Sequence, residues 1–394
     1  MRSSILDPLL TEESQEEAAL RASVRDFVDR EMPRELARQC DEAEELPEEI
    51  FKKIAAMGWM GLCIDERYGG SGGRAHDIAI VVEELSYRMA ALAFAVVAPV
   101  FMCGHTVGLH GSEEQRRFYL GGITSGEHKW AIGLTEPSGG TDALSLRTTA
   151  IRSGDGYVVN GSKMFTTGAH IADYIMLAAR TTPGTVGTPK GVSLFVLPRR
   201  SPGVTVKPLP KLGFRAIKTN QVFLDDVVIP AENLVGELDK GWYQIVDALN
   251  FERLCVPAML VGISRAALDD AVAYAKERTA FGKPIGQFQS LQHYMAESAT
   301  RIEQSRLLVR KLCDLYEAGR SYQVEAAIAK LSASETAQLV TRHGMQILAG
   351  YGYIKEFDME RYFRDHRMLT FGPVTDEMCK NIIGERLLGL PRSY

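Results

Sequence analysis

The sequence lacks a hydrophobic run long enough to cross a bilayer. Its longest apolar run, Met89 to Cys103, has 15 residues and contains Pro99, whereas a spanning helix needs roughly 20 apolar residues. We therefore expect this run to form a buried helix that breaks at the proline. The N-terminal segment carries four glutamates between Glu12 and Glu17 and has no apolar core of the kind found in secretory signals. The sequence thus predicts no membrane span and a cytoplasmic location.

Closely spaced cysteines, metal-ligand patterns and a surplus of positive charge are also missing. The six cysteines lie far apart, and no CxxC, HExxH or HxxxH spacing occurs, so neither a disulfide framework nor a bound metal is predicted. Lys and Arg total 45 against 50 Asp and Glu, which gives a net charge of −5. Proteins that bind nucleic acid neutralise its phosphates with basic residues, so nucleic acid is not a predicted partner.

The composition that is present belongs to a folded chain with several domains. Apolar residues make up 45% and charged residues 24% of the 394 residues, which excludes a disordered chain and suits two or three domains. Apolar side chains recur every three or four positions in residues 1–129 and 240–394, and this spacing predicts two helical domains. In the second helical domain, residues 240–394, the helical pattern is interrupted at Phe281–Pro284 and at Gly350–Gly352.

Residues 130–239 have a different pattern, typical of a small antiparallel sheet or barrel. Short runs of β-branched and aromatic residues, such as Tyr157–Val159 and Val192–Val196, are separated by turn sequences. We expect turns at Asp155–Gly156 and Asn160–Gly161. The predicted order is therefore a helical domain, a β domain and a second helical domain.

One acidic residue, Glu252, lies on the apolar side of a predicted helix. Apolar side chains at Trp242, Ile245, Leu249 and Val256 are separated by three, four and seven residues, so they form a stripe along one face of the helix. Glu252 occupies the stripe position between the last two, so we expect its carboxylate to be buried. Burial raises the pKa of a carboxyl, which suits a base that works near neutral pH. The alternatives are a salt bridge or a helix end at which the carboxylate reaches water.

Two glycine-containing runs are candidate ligand loops. In Leu134–Asp142, the glycines would let backbone amides approach a ligand and Thr135 and Thr141 could hydrogen-bond it, although an ordinary turn has the same composition. Gly70–Ala75 formally matches GxGxxA. A dinucleotide fingerprint follows a buried strand, however, and the segment before Gly70 has no such pattern, so a glycine turn between helices is predicted.

Five segments in order give the chain a resemblance to the acyl-CoA dehydrogenase family over nearly its whole length. Leu134–Asp142 is similar to the family signature LTEPxxGSD, with Thr141 in place of the serine, and Asn160–Thr167 is similar to NGxKxWIT, with Phe165 where tryptophan is commoner. The later segments are Arg278–Ile285 with Phe288-Gln289, Gln346–Tyr353, and Arg361 with Arg364-Asp365. One such segment alone is a weak signal, but five at the family's spacing identify the chain as a member.

The resemblance implies an α+β fold with an N-terminal helical domain, a middle β-sheet or barrel domain and a C-terminal four-helix bundle. FAD is expected between the β domain and the bundle. By the family pattern, the cofactor is contacted from three places. The isoalloxazine is contacted by Thr135, Phe165 and Thr167. The adenosine and pyrophosphate part is held across a subunit interface by Arg278, Phe281, Gln289, Gln346 and Gly350. Thr375 and Glu377 complete the cofactor site, and Leu134 and Thr141 are further cofactor-binding residues. Sharing of one FAD between two chains implies a homodimer or a homotetramer built as a dimer of dimers.

The family reaction implies a base, because it removes the α-proton of an acyl-CoA thioester while the β-hydride moves to the flavin. Most members take this base from a glutamate in the loop before the last helix, and that position is Pro373 here. The isovaleryl and long-chain branches place it on the first helix of the C-terminal bundle, immediately before an arginine, and Glu252-Arg253 matches that pattern. The resemblance therefore implies Glu252 as the catalytic base, with substrate contacts from Thr141, Arg253, Gly372, Pro373 and Val374.

The loop Gly372–Thr375 departs from the family at Pro373 and Val374. Proline has no N–H to donate to the thioester carbonyl, and Val374 adds bulk where the family has glycine, so we expect a short, branched or cyclic acyl group. The implied partners are acyl-CoA and an electron-transfer flavoprotein, in fatty acid or amino acid catabolism. The alternatives are an enoyl-CoA reductase, another flavin-dependent reaction on a functionalised acyl thioester, or a non-catalytic flavin-binding partner subunit.

Overall fold

The N-terminal region of the protein, seen in a computed structural model, is helical. The structure describes residues 4–10 and 12–392, except for the side chains of 247–251. The first helix begins at a capping box, in which Ser14 and Glu17 each accept a hydrogen bond from the other's backbone N–H. The helices described in this region are α1 (Gln15–Glu31), α2 (Arg34–Ala43), α3 (Glu49–Ala56), α4 (Ala75–Arg88), α5 (Ala90–Val96), α6 (His105–His110), α7 (Glu113–Gln115) and α8 (Gly121–Thr124).

The predicted helix break at Pro99 is wrong, because the helix continues through the proline. α5 passes into a π-helical segment, Val97–Gly104, which passes into α6. The wider turn of a π segment accommodates a residue that lacks an N–H. In the described part of the chain, Ala90–His110 is the one helix long and apolar enough to cross a membrane, but 89% of its most apolar window is buried inside the fold. It is therefore packed as a core helix of the N-terminal region.

The middle region is an eight-stranded sheet. Its strands are β1 (Trp130–Gly133), β2 (Thr149–Ser153), β3 (Gly156–Thr167), β4 (Tyr174–Arg180), β5 (Val192–Pro198), β6 (Val204–Leu209), β7 (Thr219–Pro230) and β8 (Leu234–Val235). The order is β6-β7-β3-β2-β4-β5-β8, with β1 paired to β4. β1 runs parallel to β4, and β2 meets β4 in the same direction. The sheet is therefore mixed, whereas the sequence predicted antiparallel pairing only.

The predicted turn at Asn160–Gly161 is also wrong, because both residues lie inside β3. Between Val159 and Gly161 the pairing with β7 shifts, so that one residue of β3 faces two of β7 in a bulge. The Asn160 side-chain amide donates to the Asp226 carboxylate at 2.9 Å and accepts from the Asp226 N–H at 2.9 Å. Gly161 has a φ of 147°, and a Cβ there would lie 2.5 Å from the Thr148 Oγ1. Glycine is thus required at position 161 by its positive φ and by the close approach of Thr148.

The C-terminal region is built from long helices around a 37-residue first helix. Its elements are α9 (Gly241–Glu277), the hairpin strands β9 (Thr279–Ala280) and β10 (Lys283–Pro284), α10 (Gln289–Glu317), α11 (Gln323–Leu348), α12 (Met359–Phe371) and α13 (Asp376–Ile382). Helix α9 contacts α4 of the N-terminal region as well as α10, α11 and α12. It therefore connects the two helical regions through one shared core.

Two hydrophobic cores meet at the sheet. Along β4, Met176 faces the larger core, which runs through both helical regions, and Ile175 faces the smaller core within the β region, as expected for side chains that alternate between faces. A buried ion-pair cluster also links the regions: the Arg265 guanidinium of α9 donates to the Glu84 carboxylate of α4 at 2.7 Å, and Arg21 of α1 donates to the same carboxylate. The sheet thus shares the larger core with the helices, among them α9, which carries Glu252.

Candidate active site

Glu252 lies well inside α9 and is buried, as the apolar stripe predicts. The residue is 2% exposed, and no described residue donates a hydrogen bond to its Oε2. Burial raises the pKa of Glu252 to about 8, and the neighbouring Arg253 opposes the shift. The alternative of a helix end open to water is therefore wrong. Of the stripe itself, Ile245 and Val256 are buried, Trp242 is half-buried, and the side chain of Leu249 is outside the described residues.

The surroundings of Glu252 place it where the π segment approaches the sheet. Burial raises the pKa of the Cys103 thiol, and the Glu252 carboxylate raises it further, so the two side chains lie within electrostatic reach. The Cys103 thiol also donates to the carbonyl of Ala131 in β1 at 3.7 Å. The carboxylate therefore lies between α9 and the segment Val97–Gly104, close to the start of the sheet.

The predicted isoalloxazine residues lie together at the ends of β1 and β3. The Met164 N–H donates to the Thr135 carbonyl at 2.8 Å, which joins the two motifs. A register shift between Lys163 and Thr166 re-aims the Phe165 ring, which has a φ of 56° and is 62% exposed. The Thr167 hydroxyl hydrogen-bonds that of Thr219 at 2.9 Å. Leu134 is half-buried and Thr141 is exposed on the loop after β1.

A buried ion pair supports this edge and was missed in the sequence analysis. Lys163 is fully buried, and its Nζ donates to the Glu136 carboxylate at 2.7 Å and to the Leu134 carbonyl at 3.2 Å. Glu136 also accepts the N–H groups of Arg147 and Thr148 at 2.6 and 2.9 Å. Glu136 lies in the segment Leu134–Asp142 and Lys163 in Asn160–Thr167, and their presence in these two motifs is the sequence signal that could have indicated the pair. The pair ties the loop after β1 to β3.

The charge on this pair follows from competing effects. Burial lowers the pKa of Lys163 to about 8, although Glu136 opposes the shift. Burial acts to raise the pKa of Glu136, but the charge of Lys163 and the hydrogen bonds outweigh it, so the pKa lies below its ordinary value. An unpaired Lys163 would be a buried charge without compensation. The pair therefore supports the edge through its hydrogen bonds.

The exposed edge has the chemistry that a flavin ring requires. The Phe165 ring offers a flat apolar surface, and Thr135 and Thr167 lie on either side of the bulge with hydroxyls able to meet ring heteroatoms. A cavity beside Thr167 is lined mostly by apolar side chains, including Phe94 of α5, Ala98 of the π segment and Trp130 of β1. The residues present fit an aromatic ring system next to an apolar chain.

The residues predicted for the adenosine side form a second group at one corner of the C-terminal region. The Arg278 guanidinium lies 5.8 Å from the centroid of the Tyr351 ring, next to Gly350. Phe281 is at the tip of the β9–β10 hairpin and is 95% exposed. Gln289 is exposed in the first turn of α10, and Gln346 is exposed in the last turn of α11. No hydrogen bond or ring contact among the described residues joins this group to Thr135, Phe165 or Thr167.

The loop between α12 and α13 carries the third set. Pro373 is exposed, Gly372 and Val374 are half-buried, and the Thr375 hydroxyl caps α13 by accepting the Met378 N–H at 3.0 Å. Glu377 is exposed in the first turn of α13. The next turn brings the Cys379 thiol within electrostatic reach of Arg253. The first turns of α13 thus lie within electrostatic reach of the residue that follows Glu252.

Comparisons with known proteins agree with this arrangement. Family models for acyl-CoA dehydrogenase match the chain in three consecutive parts: the N-terminal domain at residues 14–127, the middle domain at 131–227 and the C-terminal domain at 239–388. The chain belongs to the acyl-CoA dehydrogenase family. This result confirms the resemblance found in the sequence, and with it an FAD-dependent oxidoreductase that acts on CH–CH groups of acyl-CoA thioesters.

Similar members of the family cover almost the whole chain. A probable acyl-CoA dehydrogenase, YngJ, from Bacillus subtilis is 37% identical over 95% of this chain and 98% of its own. A short-chain-specific acyl-CoA dehydrogenase from Clostridium acetobutylicum is 37% identical with the same coverage. The CarC subunit of a caffeyl-CoA reductase-Etf complex from Acetobacterium woodii is 36% identical over 95% of this chain and 99% of its own. Both dehydrogenases and a reductase subunit are therefore relatives.

Solved structures of the family share the fold. A glutaryl-coenzyme A dehydrogenase in complex with glutaryl-CoA has a TM-score of 0.93 at 34% identity, with 97% of each chain covered. A glutaryl-CoA dehydrogenase from Mycobacterium smegmatis in complex with FADH2 has a TM-score of 0.93 at 26% identity, with 100% of each chain covered. The predicted order of an N-terminal helical domain, a middle β-sheet domain and a C-terminal helical domain is confirmed.

Proposed function

We propose that this member of the family dehydrogenates a short, branched or cyclic acyl-CoA, with Glu252 as the base that removes the α-proton. The observation that carries the proposal is the buried Glu252 carboxyl, whose Oε2 has no donor among the described residues. A buried carboxyl that lacks a hydrogen-bond donor lowers the stability of the fold, and such costly groups are typical of catalytic sites. With FAD bound, the cofactor supplies the acceptor for the β-hydride.

The position of Glu252 matches the needs of a base. A raised pKa makes the carboxylate a stronger base once it is ionised, and the apolar surroundings exclude water that would compete for the proton. No carboxylate is available at Pro373, the position at which the family pattern most often has one. The charge of Arg253 stabilises the ionised form of Glu252. The helix residue is therefore the base that this chain offers.

The loop Gly372–Val374 supports the proposed substrate class. Val374 is half-buried and brings a branched side chain to a position where glycine would leave open space. A rigid proline precedes it and donates no hydrogen bond. We infer that this wall limits straight chains, while Phe94, Ala98 and Trp130 provide an apolar lining for a compact acyl group.

The exposed adenosine-side group supports a shared cofactor site. Arg278 and Phe281 are exposed, and Tyr353, on the same motif as Gln346, is 81% exposed. Large exposed aromatic side chains mark interaction surfaces. We therefore propose a homotetramer in which a second chain completes each FAD site, an electron-transfer flavoprotein as electron acceptor, and a cytoplasmic location, where the six free thiols remain reduced.

The test is anaerobic mixing of the FAD-loaded protein with acyl-CoAs from butyryl-CoA to palmitoyl-CoA, including branched and cyclic members. We expect bleaching of the flavin absorbance, fastest with a short, branched or cyclic substrate. Glu252→Gln should slow bleaching by about 10³-fold, because glutamine keeps the volume but cannot accept a proton. FAD content should stay close to that of the unmodified protein, and so should thermal stability at pH 5, where the unmodified Glu252 is largely protonated in the folded state.

Other results would contradict the proposal in distinct ways. Activity of Glu252→Gln within about tenfold of the unmodified protein would exclude Glu252 as the base. Absence of bleaching by every acyl-CoA, together with reoxidation of the reduced flavin by enoyl-CoAs, would identify a reductase instead. Absence of both would identify a partner subunit without its own catalysis.

A further inference from the structure

A buried lysine on α11 contacts both flanks of the loop Gly372–Thr375. Lys330 is 2% exposed, and its Nζ donates to the Thr370 carbonyl at 3.0 Å, in the last turn of α12. The same Nζ donates to the Asp376 Oδ1 at 2.5 Å, at the first residue of α13. One ammonium group therefore holds the end of one helix and the start of the next.

A second contact from α11 fixes the acidic partner. Ser334 lies one turn after Lys330, and its hydroxyl donates to the Asp376 Oδ2 at 2.7 Å. Both oxygens of the carboxylate are thus engaged by one helix, and all three side chains are buried. Buried charge pairs with their hydrogen bonds satisfied impose one geometry on the segments they join, since any displacement leaves a charge unpaired.

The loop Gly372–Thr375 continues into α13, which approaches the residue next to Glu252. The Cys379 thiol on α13 lies within electrostatic reach of Arg253, which follows Glu252 on α9. Between Thr370 and Asp376, the loop has no other buried side-chain hydrogen bond to α11 among the described residues. Displacement of Asp376 would therefore move both Val374, on the proposed substrate wall, and the turn of α13 that carries Cys379.

We propose that Lys330 and Asp376, with Ser334, are positioning residues that set the distance between the loop Gly372–Thr375 and the proposed base. This inference rests on the proposed function for its catalytic consequence, but not for the structural contact. None of the three touches the reacting atoms. They act by keeping Val374 and α13 in place, so that the acyl group meets Glu252 in one orientation.

The test compares Lys330→Met with a matched control, Arg306→Met, in the FAD-loaded protein. Arg306 is also a buried cation of the C-terminal region, 4% exposed, but it pairs with Glu303 and Glu12, away from the loop. Hydrogen exchange of residues 371–380 should become at least about tenfold faster in Lys330→Met and stay unchanged in Arg306→Met. Ser334→Ala, a milder change that keeps the ion pair, should accelerate exchange there by a smaller factor.

The kinetic readout separates positioning from general stability. With the acyl-CoA that the unmodified protein accepts, Lys330→Met should lower the limiting rate of flavin bleaching by about tenfold or more, while KM changes by less than about threefold. Unchanged exchange at 371–380, or the same change in Arg306→Met, would overturn the proposal. Faster exchange with an unaltered limiting rate would assign the pair a structural role only. If no acyl-CoA bleaches the unmodified protein, the proposed function fails, and the exchange measurement still decides whether the pair holds the loop.

Discussion

At the scale of single residues, the protonation of Glu252 controls the chemistry that we propose. In the free protein its pKa is raised to about 8 by burial, so near neutral pH most of the base carries a proton. Since kcat/KM reports ionisations of the free enzyme, kcat/KM for the acyl-CoA should rise with pH and level off above about 8. A profile that is flat between pH 6 and pH 9 would exclude this carboxyl as the base.

The raised pKa of Glu252 also affects the stability of the fold, which should fall as the pH rises, whereas the activity should rise. The pKa is higher in the folded state than the ordinary value of 4.5, so the folded state retains a proton that the unfolded state releases. The corresponding stabilisation is complete below pH 4.5 and is lost as the pH rises through about 8. The melting temperature of Glu252→Gln, measured against that of the unmodified protein, should therefore increase from pH 5 to pH 9. A difference that decreases over this interval would contradict a buried, neutral Glu252.

At the scale of elements, we propose that the loop between α12 and α13 limits the shape of the acyl group. Replacing the half-buried Val374 with glycine removes a branched side chain without touching Lys330 or Asp376. Val374→Gly should therefore extend the range of accepted acyl-CoAs toward longer straight chains, and Val374→Ala should give an intermediate range. The measurement is kcat/KM from butyryl-CoA to palmitoyl-CoA. An identical ranking of substrates in all three proteins would show that the loop does not shape the pocket.

At the scale of the whole molecule, the exposed aromatic side chains favour the homotetramer that we propose. Phe281 is 95% exposed on its hairpin, beside the Arg278 that we place at the shared cofactor site. Light scattering should give a mass of about four chains, and Phe281→Ser should lower both this mass and the FAD content, because polar substitution weakens an apolar interface. Val228→Ser is the control, since Val228 is 66% exposed on the sheet. A monomer that retains one FAD per chain would contradict the shared site.

The sequence by itself determined the family, the order of helical and β regions, and the burial of Glu252. These features depend on local spacing: motifs of eight or nine residues, and an apolar stripe along one helix face. The stripe predicts Glu252 correctly because a carboxylate on that face is enclosed wherever the helix packs. The segments Leu134–Asp142 and Asn160–Thr167, which resemble family motifs, likewise indicated the edge at which Thr135, Phe165 and Thr167 lie together.

Only the tertiary structure decided the features that depend on distant partners. Asn160–Gly161 lies in a strand opposite a bulge of β7 instead of in a turn, because β7 is paired along this stretch of β3. The helix continues through Pro99, and the fold encloses it on nearly all sides. Lys330 meets Asp376 across 46 positions of sequence, and Lys163 meets Glu136 across 27. A buried charge needs a specific partner, but local sequence does not show which residue folding will bring to it.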